Sequence, residues 1–361
     1  MKIVTVIGAR PQFIKAALVS KAIRKKHEEI IVHTGQHFDI NMSDIFFSQL
    51  KIPRPKYNLN IKSLPRAVMI RRMVQKLLPV MKREKPDLVI VYGDTNSTLG
   101  GALAAKKLSI LVAHVEAGMR SYDKSMPEEN NRVETDKITS LFLCSTKIAC
   151  SNLKKEGFKK NIHNAGDVML ELLGHSINIA KKKSKILAKL RLKKKSYLLA
   201  TIHRASNTDS KKNLTSIISA FLESKETIVF PIHPRTKKAM QKYNLMNKLK
   251  SSNVKCIAPL PYFDVLMLEK NARKIVTDSG GMQKESFVLK VPCITLRNST
   301  EWVETVSDGW NILVGADKNK ILNAITNFNP RKKQHLHYGN GHTSKKIARV
   351  ISSFLLSLQS Q

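Results

Sequence analysis

The sequence lacks the features of a membrane or secreted protein. None of its 361 residues belongs to an uninterrupted apolar run of about 18, so a transmembrane helix is not expected. The N-terminal segment MKIVTVIGARPQF turns polar and reaches Pro11 before it could form the apolar core of a signal peptide. We therefore expect a cytoplasmic protein with no membrane partner.

Cysteine is scarce, and several familiar catalytic motifs are missing. The four cysteines, Cys144, Cys150, Cys256 and Cys293, include no C-x-x-C pair and lie in apolar segments, which predicts buried free thiols. The absence of H-E-x-x-H, G-x-S-x-G and G-x-x-x-x-G-K-[ST] argues against a zinc protease, a serine hydrolase of that type and a P-loop nucleotidase. Neither a metal nor a cofactor is predicted.

Acidic residues are few relative to basic ones. The 27 Asp and Glu residues stand against 63 Lys and Arg, a formal net charge of +36, which predicts attraction to polyanions. Either a nucleic-acid-binding protein or an enzyme for anionic substrates would fit this charge. Only 6% of the residues are aromatic, and the basic run Lys181–Lys195 has no aromatic residue for base stacking. The composition therefore favours the enzyme and predicts no nucleic-acid partner.

Short apolar runs alternate with amphipathic stretches along the chain, as is typical of doubly wound α/β sheets. Because the chain is longer than most single domains, we predict two Rossmann-like domains. Their expected ranges are 1–168 and 196–343, joined by a linker at 169–195. The tail at 344–361 is predicted as a helix that packs back on the first domain. Ligands bind beyond the carboxyl ends of such strands, so an interdomain cleft is expected.

Ten apolar runs are predicted as parallel strands, five in each half. The first five are Ile3–Ile7, Ile30–His33, Leu88–Tyr92, Ile110–Val115 and Leu141–Cys144. The second five are Tyr197–Ile202, Thr227–Pro231, Val254–Ile257, Lys274–Thr277 and Cys293–Leu296. The helices predicted between strands of the first half include Pro11–Lys25, Arg66–Lys82 and Thr98–Lys107. Polar residues that directly follow the strands are the candidates for a functional site.

The first strand ends in a glycine turn, G-A-R-P at 8–11, that leads into a predicted helix. Such a turn favours phosphate binding at the helix N-terminus, and Arg10 adds a bidentate donor. Lys15 lies about one helical turn further along the same helix. A tight structural turn with a surface arginine explains the pattern equally well.

Three acidic positions follow strands of the first half. Asp94 comes directly after the third strand, Glu116 ends an apolar run, and Glu128 lies in the acidic segment at 127–132. Carboxylates at one sheet edge can divide the roles of general acid and general base. Each is also a normal helix-capping or turn residue, so both interpretations stay open.

In the second half, donors rather than acids follow the strands. His203 and His233 each follow a strand and are followed closely by an arginine, a combination that suits a diphosphate. The segment D-S-G-G-M-Q-K-E at 278–285 opens a predicted helix, and its glycines would let backbone amides approach phosphate oxygens. Glu285 could accept hydrogen bonds from ribose hydroxyls. A plain turn is the alternative.

Taken together, these strand-end motifs resemble one known family. In the first half they are G-A-R-P-Q at 8–12, G-Q-H at 35–37, G-D-T at 93–95, H-V-E-A-G at 114–118 and P-E-E-x-x-R at 127–132. In the second half they are H-R at 203–204, H-P at 233–234, D-S-G-G-x-Q-x-E at 278–285 and L-R-x-x-T-E at 296–301. In this order they resemble the non-hydrolysing UDP-N-acetylglucosamine 2-epimerases over residues 2–315.

The resemblance implies a GT-B-like fold with a UDP-sugar in the cleft and a homodimeric enzyme. It also implies a reaction in which a base removes the C2 proton while UDP leaves C1. UDP then adds back to the glycal intermediate with C2 inverted. The implied catalytic residues are Asp94, Glu116, Glu128 and His203. The implied substrate-binding residues are Arg10, Lys15, Arg132, Ser279, Gly280, Gly281, Glu285, Arg297 and Glu301.

Some positions depart from the common family pattern. Gln12 replaces the glutamate of G-x-R-P-E, Ser206 replaces the acid of H-R-x-E-N, and T-E-W-V-E at 300–304 replaces T-E-R-P-E. The G-A-R-P-Q-F and T-E-W-V-E forms resemble the subgroup that acts on UDP-2,3-diacetamido-2,3-dideoxy-glucuronate. We therefore expect either that sugar or UDP-N-acetylglucosamine as substrate, for surface polysaccharide synthesis. A hydrolysing 2-epimerase and a GT-B glycosyltransferase are the rival enzymes.

Overall fold

The alternation of strands and helices in the sequence produces two α/β units. The computed structural model describes residues 1–36, 53–61, 64–249 and 252–359. The first unit comprises Met1–Leu172 and Leu336–Gln361, and the second comprises Leu173–His335. Each unit has its own parallel sheet and its own apolar core, rich in Val, Ile, Leu and Ala.

Within the described residues, the first unit contains a seven-stranded sheet. Its strands are β1 (Lys2–Ile7), β2 (Glu28–His33), β3 (Tyr57–Asn58), β4 (Leu88–Tyr92), β5 (Leu111–Ala117), β6 (Leu141–Cys144) and β7 (Ile162–Asn164). They lie in the order β3-β2-β1-β4-β5-β6-β7, and all pairs are parallel. The direction of chain progression reverses between β1 and β4, where a ligand site is expected.

The sheet of the second unit follows the same plan. Its strands among the described residues are β8 (Leu198–Thr201), β9 (Ile228–Pro231), β10 (Val254–Ile257), β11 (Lys274–Thr277), β12 (Cys293–Thr295) and β13 (Asn311–Leu313). They lie in the order β10-β9-β8-β11-β12-β13, again all parallel, with the reversal between β8 and β11. All ten predicted strands are confirmed. The short strands β3, β7 and β13 are missed by the sequence analysis because two or three residues make no distinct apolar run.

The helices connect successive strands. They are α1 (Arg10–Ile23), α2 (Arg66–Glu84), α3 (Asn96–Lys107), α4 (Pro127–Asp136), α5 (Lys147–Lys155), α6 (Val168–Lys183), α7 (Ile186–Lys189), α8 (Ala205–Thr208), α9 (Lys211–Glu223), α10 (Pro234–Lys242), α11 (Tyr262–Asn271), α12 (Gly280–Val288), α13 (Val303–Ser307), α14 (Lys318–Asn327) and α15 (Thr343–Gln359). In the part of the chain that the structure describes, none of them is long and apolar enough to cross a bilayer.

The C-terminal helix α15 belongs to the first unit and packs against α1. Its start is fixed by Ser344, whose backbone N–H and hydroxyl both donate to the Glu171 carboxylate at 2.7 Å. Further along, Ser352 contacts the ring of His27 at 2.8 Å. The range predicted as a linker contains most of α6 and all of α7.

The cysteines follow the prediction only in part. All four are free thiols, and Cys144 and Cys293 are buried. Cys150 is half-buried and Cys256 is exposed, so for these two the prediction of burial is wrong. Cys256 lies on β10, an edge strand in which two of the four residues are exposed.

Candidate active site

The turn after β4 brings candidate residues of the first unit together. Gly93 has a φ of +64°, the left-handed region that glycine adopts without strain. A Cβ atom at this position would lie 3.0 Å from Lys15 Nζ and 3.3 Å from Glu116 Oε2. The half-buried Lys15 and the buried Glu116 form an ion pair beside the turn. Asp94, the residue after the glycine, therefore lies next to this pair.

Glu116 owes its orientation to a distortion of β5. The pairing of β5 with β6 shifts register between Val115 and Ala117, which is a β-bulge. Glu116 itself has a φ of +75°, a conformation that costs a residue with a side chain about 1–3 kcal/mol. Bulges of this kind turn a side chain away from its regular position in the strand and are common beside active sites. The strain supports the prediction that Glu116 is functional.

Asp94 is held by a cation from α4. The Arg132 guanidinium forms an ion pair with Asp94 and donates to Glu129 at 2.8 Å. Asn131 donates its side-chain amide to the backbone oxygen of Asp94 at 2.9 Å. Burial alone would raise the pKa of Glu129, but the Ser121 amide and Arg132 lower it below the ordinary glutamate value. Glu129 is thus a buried anion that keeps Arg132 in place.

Gln12 ties the turn after β1 to the turn after β4. Its side-chain oxygen accepts from the N–H groups of Gly8 and Ala9 at 2.8 and 3.0 Å. Its side-chain nitrogen donates to the Tyr92 oxygen and to Thr98 Oγ1, both at 3.0 Å. An ionised carboxylate has no hydrogen for these two acceptors, so this connection requires the side-chain amide of Gln12.

The turn after β8 in the second unit is built around a buried carboxylate. Asp278 is fully buried and accepts from the backbone N–H groups of His203 and Arg204 at 3.0 Å each. Asn207 donates to the same carboxylate at 3.0 Å. The His203 ring lies 3.3 Å from Asp278 through Nδ1 and 5.7 Å from the His233 ring, centroid to centroid. Both predicted histidines therefore lie at this edge of the sheet.

The N-terminus of α12 follows β11 at the same edge. Ser279 caps the helix, and Gly280 is packed so closely that a Cβ atom would lie 2.3 Å from Glu301 Oε1. Glu301 is in turn bound by Arg297 at 2.9 Å. Gly281 is exposed, so its backbone is accessible to a ligand at the helix N-terminus.

Glu285 lies on α12, and Trp302 packs against the same helix through Lys284. The Glu285 carboxylate accepts from the Tyr262 hydroxyl at 3.3 Å. The Lys284 ammonium lies 4.2 Å from the centre of the buried Trp302 ring, a cation–π contact. This contact holds the Trp302 ring against α12.

Known proteins with similar sequences lead to the same family. The family model described as UDP-N-acetylglucosamine 2-epimerase matches residues 21–352. A protein of Methanococcus maripaludis named UDP-N-acetylglucosamine 2-epimerase homolog is 56% identical over 354 residues, which covers 97% of this chain and 99% of that protein. The chain belongs to the UDP-N-acetylglucosamine 2-epimerase family.

Two further relatives bear on the fold and on the substrate. The UDP-2,3-diacetamido-2,3-dideoxy-D-glucuronate 2-epimerase of Pseudomonas aeruginosa is 44% identical over 362 residues. The match covers 98% of this chain and 99% of that protein. The crystal structure of Methanocaldococcus jannaschii UDP-GlcNAc 2-epimerase in complex with UDP-GlcNAc and UDP has a TM-score of 0.92 and 44% identity, over 98% of this chain and 100% of that one. The predicted family, the isomerase class and the α/β fold with two parallel sheets are confirmed.

The structure places the predicted site residues in two groups. In the first unit Lys15 forms an ion pair with Glu116, and Arg132 forms one with Asp94. Glu128 lies half-buried in the first turn of α4. In the second unit the group comprises His203, Ser279, Gly280, Gly281, Glu285, Arg297 and Glu301. The Arg10 side chain and His37 lie outside the described part of this epimerase-family chain.

The sequence analysis misses several residues that hold these groups in place. They are Gln12, His114, Glu129, Asp136 and Asp278. A signal exists for some of them, because Glu129, Arg132 and Asp136 are spaced by three and four residues and so share one face of α4. The spacing predicts that these three residues lie together, and the structure shows that their shared face is buried.

Proposed function

We propose that this epimerase removes the proton from one face of C2 of a UDP-2-acetamido sugar and delivers a proton from solvent to the opposite face. As the C2–H bond breaks, its electrons form the C1=C2 double bond, and UDP leaves with the electrons of the C1–O bond. UDP then adds back while C2 takes up a proton from the other side. The observation that supports this is the pair of carboxylates, Asp94 and Glu116, at one sheet edge, each held by a cation.

We assign the proton transfers to Asp94, Glu116 and Glu128. Lys15 and Arg132 bind the first two carboxylates, and such pairing fixes their positions for reaction. The unusual backbone of Glu116 supports its assignment independently of any resemblance. Two carboxylates on opposite faces of C2 would let one remove the proton while the other delivers one.

We assign the binding of UDP to the second unit. The exposed amide of Gly281 and the capping residue Ser279 lie at the N-terminus of α12, where the helix dipole favours a diphosphate. His203 adds a donor that can stabilise UDP as it leaves, and Glu285 is proposed to accept from the ribose. Arg297 and Glu301 are proposed to complete this UDP-binding group. Arg10 is proposed to belong to the group of site residues in the first unit.

Cleavage of the C1–O bond is tested by the movement of an isotope. The UDP-sugar that the enzyme epimerises, labelled with ¹⁸O in the bridge between C1 and the β-phosphorus, should pass the label into non-bridging positions, seen by ³¹P NMR. Asp94→Asn and Glu116→Gln should slow this scrambling and the epimerisation together, by at least about 100-fold. Epimerisation by the unaltered enzyme without any scrambling would contradict elimination of UDP.

We propose that the substrate is UDP-2,3-diacetamido-2,3-dideoxy-glucuronate rather than the plain sugar. The Gln12 and Trp302 forms of the motifs support this, as does the abundance of cations able to pair a uronate. A cation left unpaired by the plain sugar costs on the order of 1–3 kcal/mol, or about tenfold to a hundredfold in kcat/KM. Measurement of kcat/KM on both UDP-sugars tests this proposal. An equal kcat/KM on UDP-N-acetylglucosamine would reject the proposal that the uronate is the preferred substrate.

We further propose that the enzyme acts as a cytoplasmic homodimer in the supply of surface polysaccharide precursors, without a nucleic-acid partner. Light scattering of the purified protein should give about twice 40.7 kDa. Any nucleic-acid binding should be weak and vanish with salt, because it would arise from net charge alone.

A further inference from the structure

A buried chain of polar groups lies behind the turn that precedes Asp94. His114, fully buried on β5, contacts the Gly93 oxygen through Nε2 at 2.8 Å and the Asp136 carboxylate through Nδ1 at 2.7 Å. Asp136, the last residue of α4, is also fully buried and pairs with Arg120 at 2.8 Å. Arg120 in turn forms a two-pronged contact with Glu156.

The partners define which atoms donate. The Gly93 oxygen is a carbonyl and can only accept, so His114 Nε2 bears a hydrogen. Burial alone would raise the pKa of Asp136, but His114 and Arg120 lower it below the ordinary aspartate value. The Asp136 carboxylate is thus held by Arg120 and by its contact with His114 Nδ1. Each side chain in this series of buried polar groups therefore has a hydrogen-bond or ion-pair partner.

The contact between His114 and the Gly93 oxygen fixes the backbone just before Asp94. That oxygen lies in the same rigid peptide plane as the Asp94 nitrogen, so holding it fixes the backbone from which the Asp94 side chain projects. The Gly93 N–H is held as well, by the Val115 oxygen at 2.9 Å. The peptide groups on both sides of Gly93 are thus fixed to β5 or its side chains.

The same Asp136 carboxylate also fixes the backbone beyond Glu116. Its second oxygen accepts from the Gly118 N–H at 3.1 Å, two residues after the strained position. Gly118 has a φ of +76°, and a Cβ atom there would lie 2.3 Å from the Ala149 oxygen. One carboxylate therefore anchors the turn before Asp94, through His114, and the end of the bulge that contains Glu116.

We propose that His114 and Asp136 are positioning residues that hold the catalytic carboxylates Asp94 and Glu116 at their working separation. The inference rests on the proposed function, which assigns the proton transfers at C2 to those carboxylates. Neither positioning residue needs to contact the sugar. Their loss lowers the rate of the chemical step through misplacement, and displacements near 1 Å are sufficient for about a hundredfold effect.

Two substitutions of His114 separate its two hydrogen bonds. In His114→Gln, the side-chain amide nitrogen occupies the place of Nε2 and keeps the bond to the Gly93 oxygen. In His114→Asn, it occupies the place of Nδ1 and keeps the bond to Asp136 instead. We expect kcat to fall at least about 30-fold in His114→Asn and less than about fivefold in His114→Gln, with KM and the Kd for UDP within twofold of the unaltered enzyme.

Glu84→Gln is the matched control, because Glu84 is a buried carboxylate of the same unit that pairs with Lys56 and Tyr57 outside the site. It should lose stability and keep kcat. Equal kcat in the two His114 variants, or a loss of kcat in Glu84→Gln as large as in His114→Asn, would overturn the positioning role. If Asp94→Asn retains full activity, the assignment of Asp94 under the proposed function fails instead, which is a separate result.

Discussion

Replacing Gly93 by alanine tests the turn on which the first group of site residues depends. The left-handed φ of +64° costs an L-residue about 1–2 kcal/mol, so the unfolding free energy of Gly93→Ala should fall by about that amount. The added methyl group would lie 3.0 Å from Lys15 Nζ and 3.3 Å from Glu116 Oε2. Both are ends of flexible side chains, so they move aside and folding is not prevented.

The same displacement should cost much more in activity than in stability. Lys15 and Glu116 would each shift by a few tenths of an ångström to 1 Å, and Asp94 follows directly in the chain. Misplacement of this size reduces rates by up to about 100-fold, so kcat/KM of Gly93→Ala should fall roughly 30- to 100-fold. The Kd for UDP, measured by calorimetry, should stay within twofold, since UDP is assigned to the second unit.

Gly157 provides a matched control in the same unit. Its φ is +93°, and nothing lies within 4 Å of its Cβ position. Gly157→Ala should therefore lose a similar amount of stability and keep kcat/KM within twofold. Should Gly93→Ala and Gly157→Ala prove equally active at equal stability, the Lys15–Glu116 pair would have no part in the chemistry.

Two further predictions concern stability and UDP binding. Hydrogen bonds from Lys56 and Tyr57 lower the pKa of Glu84 from 4.5 to about 2, so its contribution is present above pH 4.5 and lost as the pH falls through 2. Glu84→Gln should lower the unfolding free energy at pH 7 by only roughly 1–2 kcal/mol, because Lys56 is exposed and solvent screens its charge. Urea titrations should show that the difference in unfolding free energy between the variant and the unaltered protein shrinks below pH 4.5. Gly280→Ala places a methyl group 2.3 Å from Glu301 Oε1 and should raise the calorimetric Kd for UDP at least tenfold, whereas an unchanged Kd would remove Gly280 from the UDP group.

The long elements of the fold could be predicted from sequence because fully buried parallel strands are continuous apolar runs. Leu88–Tyr92 and Lys274–Thr277 are buried throughout, and their bounds match the prediction. The two-residue strand Tyr57–Asn58 could not be found in this way. It exists because its backbone pairs with β2, a tertiary interaction with no local pattern.

The site could be predicted in its residue types but not in its geometry. Polar residues after buried strands made Asp94 a candidate in the first unit and His203 in the second, since in each sheet such positions collect at one edge. The left-handed backbone of Glu116 could not be foreseen, because glutamate rarely adopts it and only the surrounding sheet imposes it. The sequence also could not show whether Glu128 or Glu129 pairs with Arg132. That depends on how α4 is rotated about its axis, which packing against the sheet decides.

The most direct test of the central claim is epimerisation of the UDP-sugar in deuterated water, followed by ¹H NMR. Removal of the C2 proton and its return from solvent predict a manno-configured UDP-sugar with deuterium at C2, together with deuterium in the recovered substrate once the reaction reverses. Unchanged sugar with both candidate substrates, or a manno product that retains its original C2 proton, would contradict it. Release of free sugar and UDP as the main products would contradict the readdition step.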